Sequence, residues 1–126
     1  LFAAVNVSRF IGADPEEAAV AEAFVAWGLP TAEALIAVRR ACPGLPLIAS
    51  GGVLDGVEAA TCLALGADLV GMAAALLRPA TDSVEAVVRR LRVVLRQLQT
   101  AMFATGARTV AELDATHIAR GSQTPI

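Results

Sequence analysis

Two short stretches carry residue types and spacings that could do chemistry. In Ser50-Gly51-Gly52-Val53-Leu54-Asp55-Gly56, which follows the apolar run Leu47-Ile48-Ala49, adjacent glycines free the backbone for positive φ and leave its amides bare. A helix expected directly after this loop would add unpaired N–H groups and the positive end of its dipole, which suit an anion such as a phosphate. A plain turn accounts for the same glycines. The second stretch, Gly66-Ala67-Asp68-Leu69-Val70-Gly71-Met72-Ala73, again ends a strand pattern in small residues. Gly71 and Ala73 would leave room for a phosphate and the chain that carries it; alternatively, Gly71 packs closely against a helix. Parallel α/β proteins place their sites at the C-terminal ends of strands, and two successive strand-end loops often share one phosphate. The two stretches together favour phosphate binding.

Other reactive side chains are few. His117, in Asp114-Ala115-Thr116-His117, suits proton transfer near neutral pH, but no sequence neighbour orients it and it reads as a surface histidine. Asp55 and Asp68 sit beside the small-residue loops and read as a helix cap or turn residue. Cys42 and Cys62 lack CxxC spacing and read as reduced structural thiols of a cytoplasmic protein. All ten basic residues are arginine, so no lysine of this chain can form a Schiff base. A net charge of −2, with only four Phe and one Trp to stack on bases, argues against nucleic acid as a partner. The chain is 56% hydrophobic, yet no apolar run approaches the roughly 18 residues that span a bilayer, so no membrane partner is expected.

The elements that must position the loops follow from periodicity and caps. Residues 2–7 form an apolar run read as a buried strand. It starts at once, from Leu1 rather than an initiator Met, and the expectation is that something precedes it. Asp14 caps a helix with Pro15 at its first position, running to about Trp27, where Gly28 and Pro30 stop it. Thr31 is the cap candidate of a second helix, with Ala34, Leu35, Val38 and Ala41 at helical spacing. Residues 45–49 form the second strand, 50–56 its loop, 57–65 a helix, 69–73 the third strand, and 74–80 a loop or short helix. Ser83 caps a long helix ending near Thr100 or Gly106. Val87, Leu91, Val94, Leu95 and Leu98 line one face of it, and the arginines from Arg89 to Arg96 line the wet one. Met102 and Phe103 read as core, and Thr109-Val110-Ala111-Glu112 has capping-box spacing for a last short helix.

Strands alternating with helices predict a parallel sheet. Three strands are too few for a closed barrel of eight, so residues 1–126 read as a piece of a larger fold. The expected class is α/β, with about three parallel strands and their helices, and the family resemblance that follows implies the C-terminal part of a (β/α)8 barrel.

Four stretches carry a family resemblance. They are Trp27-Gly28-Leu29-Pro30-Thr31-Ala32, Pro46-Leu47-Ile48-Ala49-Ser50-Gly51-Gly52, Leu63-Ala64-Leu65-Gly66-Ala67-Asp68-Leu69-Val70-Gly71-Met72-Ala73 and Ala101-Met102-Phe103-Ala104-Thr105-Gly106-Ala107. They resemble the C-terminal third of type 2 isopentenyl-diphosphate isomerase, a flavin-dependent (β/α)8 barrel. SGG followed by ALGAD is shared with the wider FMN-dependent hydroxy-acid dehydrogenase group; WGLPTA and AMFATGA point to the isomerase. The resemblance implies reduced FMN, a divalent metal (usually Mg2+), NADPH to keep the flavin reduced, and an isoprenoid diphosphate whose double bond is moved. It makes Gly51, Gly52, Val53 and Leu54 the first phosphate loop of an FMN-binding barrel, Ala73 and Ala74 the second, and Ser8 a flavin contact. It puts the substrate and metal sites in the preceding part of the barrel. A homo-oligomer is expected when the barrel is complete.

After Ser8 the chain departs from the family's SGxGGT pattern, reading Ser8-Arg9-Phe10-Ile11-Gly12-Ala13, and Leu54 stands where arginine is common. Two other readings stand beside the isomerase. One is an FMN-dependent 2-hydroxy-acid oxidoreductase, although His117 comes too late for that group's active-site histidine. The other is an inactive truncated barrel remnant.

Overall fold

The computed structural model describes residues 14–24 and 27–118. The strand expected over residues 2–7, Ser8 and the loop to Ala13 lie outside these residues.

Helix α1 (Pro15–Glu22) starts as its sequence dictates, with the Asp14 carboxylate accepting the Glu16 amide at 3.0 Å and Pro15 at the first position. It stops at Glu22 rather than near Trp27. Ala21 is its one buried residue, so little packing draws the helix further. Helix α2 (Thr31–Ala41) has Pro30, not Thr31, in the cap position. Thr31 is instead its first helical residue, and its hydroxyl is left to bond elsewhere.

Strands β1 (Ile48–Ser50) and β2 (Leu69–Gly71) are parallel, pairing Ile48 with Leu69, Ala49 with Val70 and Ser50 with Gly71. Both are shorter than their apolar runs. The residues before β1 are held by side chains as well as backbone: Arg39 takes the carbonyls of Pro43 and Leu45, Asp68 takes the Leu47 amide, and the Leu47 carbonyl accepts the Asp68 and Leu69 amides. The crossover between the strands is helix α3 (Gly56–Ala64). Helix α4 (Ala74–Asp82) occupies the stretch read as a loop or short helix.

Helix α5 (Val84–Thr105) is capped by the Ser83 hydroxyl, which accepts the Ala86 amide at 3.1 Å. Gly106 closes it in the left-handed region at φ 82°. Val94 is buried and Val87 and Leu98 are half-buried, but Leu91 and Leu95 are exposed rather than packed. Phe103, expected in the core, is 88% exposed, because the helical period points it away from the face that packs Met102. Arg89, Arg92 and Arg96 are exposed as expected.

The core lies on both sides of α3. Its Ala59 and Cys62 pack with Leu35, Ala49, Val53 and Ala67 against the sheet. Its Ala60 and Ala64 pack with Ala107, Leu113, Leu98 and Met102. Alanine at these positions brings the elements close, and Gly56 brings α5 closer still. A Cβ there would stand 2.2 Å from the Val94 carbonyl oxygen and 2.5 Å from the Leu98 amide nitrogen. The capping box expected at Thr109 and Glu112 does not form. Glu112 accepts the Arg108 amide instead, and the box is built one turn later by Asp114 and His117.

Candidate phosphate-binding site at the paired strand ends

The register brings the two small-residue loops together. Ser50 and Gly71 are partners at the C-terminal ends of β1 and β2, so Gly51-Gly52 and Ala73-Ala74 leave the same edge of the sheet on adjacent strands. Adjacent strands lie about 4.8 Å apart, so the two loops start close together. Gly51 and Gly52 have φ of 103° and 76°, a conformation that side chains rarely adopt, so both glycines are required by the backbone itself. A Cβ on Gly52 would meet nothing within 4 Å, leaving open space over the loop. Val53 is 5% exposed and anchors the loop from beneath in the core. The neighbours nearest to a Cβ at Gly71 are Cβ and Oγ of Ser50, both at 3.4 Å, so Gly71 faces its strand partner and not a helix.

The donors left open differ from those the sequence suggests. Helix α3 does not present a bare N-terminus. The Asp55 carboxylate accepts the Val57 and Glu58 amides at 2.9 Å each, and the Gln97 side chain accepts the Gly56 amide at 3.1 Å. Glu58 accepts the Leu54 amide at 2.6 Å, and the Leu54 carbonyl accepts from the Arg90 guanidinium at 2.7 Å. Leu54 thus has both backbone groups in use. Among the described residues, no protein acceptor takes the amides of Gly52 or Val53. The second open set is at the start of α4. Its cap, Ala73, has no side-chain acceptor to offer, and Ala73 and Ala74 are both exposed. Bare amides in a glycine loop, and a helix start without a protein cap at the end of the neighbouring strand, are the kind of donors that a phosphate monoester takes.

Several residues fall elsewhere. Asp68 is not beside the loops. It precedes β2 at the opposite end of the sheet, where the Leu47 amide and then Arg39 hold its carboxyl below the ordinary range. His117 uses Nδ1 to accept the Asp114 amide at 3.2 Å, a local capping role. Cys42 is exposed and Cys62 buried, both as free thiols. Among the described residues, no three His, Cys, Asp or Glu side chains converge as metal ligands. Thr31 is not the cap expected from its sequence; its hydroxyl donates to the Gly51 carbonyl at 2.7 Å. The signal available was Pro30 immediately before it, which can take the cap position itself.

Residues 26–120 match the family described as FMN-dependent dehydrogenase. The chain belongs to that family. Within the FMN-dependent dehydrogenase family, its similarity is to proteins named isopentenyl-diphosphate delta-isomerase. It is 55% identical over 112 residues to that of Stutzerimonas stutzeri, covering 89% of this chain and 32% of the relative. For Xanthobacter autotrophicus the identity is 59% over 97 residues, or 77% of this chain and 27% of the relative. For Cronobacter sakazakii it is 46% over 119 residues, or 94% and 34%. The chain thus spans about a third of the length of the curated relatives it matches.

Proposed function

We propose that residues 1–126 are the C-terminal piece of a (β/α)8 barrel, and that the paired strand ends hold the phosphate of FMN. The supporting observation is the Ser50–Gly71 register, which sets Gly51-Gly52-Val53-Leu54 beside Ala73-Ala74. Gly52 and Val53 would donate their amides to the phosphate, and the α4 start would add its dipole. Leu54 would border the phosphate with its side chain, since its amide already serves Glu58. Ser8 is assigned to the flavin from the resemblance.

In this reading the intact protein interconverts isopentenyl and dimethylallyl diphosphate. Bound reduced FMN supplies the proton-handling chemistry at the allylic carbons. This segment binds and orients; it contributes no catalytic side chain. Mg2+ and NADPH would bind outside this chain, and the intact protein would be a cytoplasmic homo-oligomer. No helix among the described residues is long and apolar enough to cross a membrane.

The experiment is an isomerisation assay on the intact protein with FMN kept reduced, using isopentenyl diphosphate. Formation of dimethylallyl diphosphate that depends on FMN supports the reading; FMN-independent isomerisation overturns it. The family description, FMN-dependent dehydrogenase, is also compatible with a second reading, an FMN-dependent 2-hydroxy-acid oxidoreductase, which turnover of lactate or glycolate would support.

A further inference from the structure

Thr31 and Gly51 are twenty residues apart in sequence, yet the Thr31 hydroxyl and the Gly51 carbonyl oxygen lie 2.7 Å apart. That carbonyl belongs to the peptide unit joining Gly51 to Gly52, which is trans, as are all the peptides among the described residues. In a trans peptide the C=O and N–H lie in one plane and point in opposite directions. A bond that holds the carbonyl toward α2 therefore turns the Gly52 N–H away from α2. Glycines flank this plane on both sides, at φ 103° and 76°, so no Cβ restrains its rotation. The Thr31 hydroxyl does so from outside. Donation to the carbonyl also polarises the peptide and makes its N–H a better donor. Gly52 borders open space, and among the described residues no protein acceptor takes its amide.

We infer that Thr31 is a positioning residue for anion binding: its hydroxyl sets the Gly51–Gly52 peptide plane so that the Gly52 amide meets the flavin phosphate. The inference rests on the phosphate reading above. Thr31 touches neither cofactor nor substrate; it acts through the peptide it holds. Pro30 makes this possible by taking the cap position, which would otherwise turn the hydroxyl onto its own helix.

The test compares FMN with riboflavin, which has the same ring system and no phosphate, on the intact protein. Thr31→Val should weaken FMN binding about tenfold and leave riboflavin affinity unchanged, while Thr31→Ser should keep FMN within about twofold. If the wild type binds both flavins equally, the phosphate reading fails and takes this inference with it. If the wild type prefers FMN and Thr31→Val keeps the preference, the phosphate site stands and the role of Thr31 is overturned. Equal loss of both flavins in Thr31→Val would mark a merely structural role and overturn it as well. Should Thr31→Val not fold, Thr31→Ala against Thr31→Ser carries the same comparison. In 15N-glycine-labelled wild type, the Gly52 amide proton should move downfield with FMN and stay with riboflavin. An unmoved resonance would also overturn the proposal.

Discussion

The Arg39 guanidinium meets the Asp68 carboxylate at 2.6 Å, and the same carboxylate oxygen accepts the Leu47 amide at 2.8 Å. Arg39 also donates to the carbonyls of Gly66, Pro43 and Leu45 at 2.8, 2.8 and 3.0 Å. One side chain thus ties the end of α2, the turn into β1, the end of α3 and the start of β2. It works at the end of the sheet opposite the glycine loop. Lysine has one compact donor group and cannot span this fork. Arg39→Lys should therefore lower stability by roughly 2 kcal/mol through stranded carbonyls, read as a lower urea midpoint, with flavin affinity unchanged.

Acid should release the same clamp. The Asp68 carboxyl lies below its ordinary value of 3.8 in the folded state, first through the Leu47 amide and then through Arg39. A lowered folded value means that its contribution is complete above the ordinary value and is lost as pH falls through the lowered one. Urea midpoints measured from pH 5 downward should fall more steeply for the wild type than for Asp68→Asn. Parallel curves would assign the acid sensitivity to other carboxylates.

Gly56 is a packing residue. The nearest atoms to an added Cβ are α5 backbone at 2.2 and 2.5 Å, which cannot rotate aside. Gly56→Ala should force α3 and α5 apart and cost about 3 kcal/mol, visible as a Tm drop of several degrees.

Gly52→Ala separates backbone strain from steric clash. The φ of 76° costs alanine about 1–2 kcal/mol, while the methyl meets nothing within 4 Å. The protein should fold with a modestly lower Tm and bind FMN at least about tenfold more weakly, because the methyl enters the phosphate space. Unchanged FMN affinity, by fluorescence titration, would remove Gly52 from the site.

The two thiols should react at different rates. Cys42 is exposed, whereas Cys62 is 7% exposed, and burial, then the Glu58 charge, push its thiol pKa up. Iodoacetamide at pH 8 should label Cys42 in the native protein and Cys62 only after unfolding, as read by mass spectrometry.

How much of this was legible in the sequence depends on the distance between the groups involved. The Asp14 and Ser83 caps, the Gly106 stop and the two parallel strand ends all follow from neighbours within a few residues. The α1 endpoint and the exposure of Leu91 and Leu95 on the otherwise expected α5 face are not legible locally, because propensity and period do not say which residues find a partner. Phe103 sits in an apolar run and is nonetheless the most exposed large hydrophobic residue described.

By itself, the sequence determined the βα alternation, the glycines at the strand ends and their family signature, because each is written in local spacing. Only the tertiary structure decided which amides stay open. Asp55 and Gln97 fill the first turn of α3, Glu58 takes the Leu54 amide before it, and among the described residues the Gly52 and Val53 amides meet no protein acceptor. It also decided that Thr31 reaches Gly51, that Arg39 reaches Asp68 and that Gly56 meets Val94. Those pairs join elements whose relative placement comes from core packing, and a hydrogen bond or clash that depends on a few tenths of an ångström exists only once that packing is set.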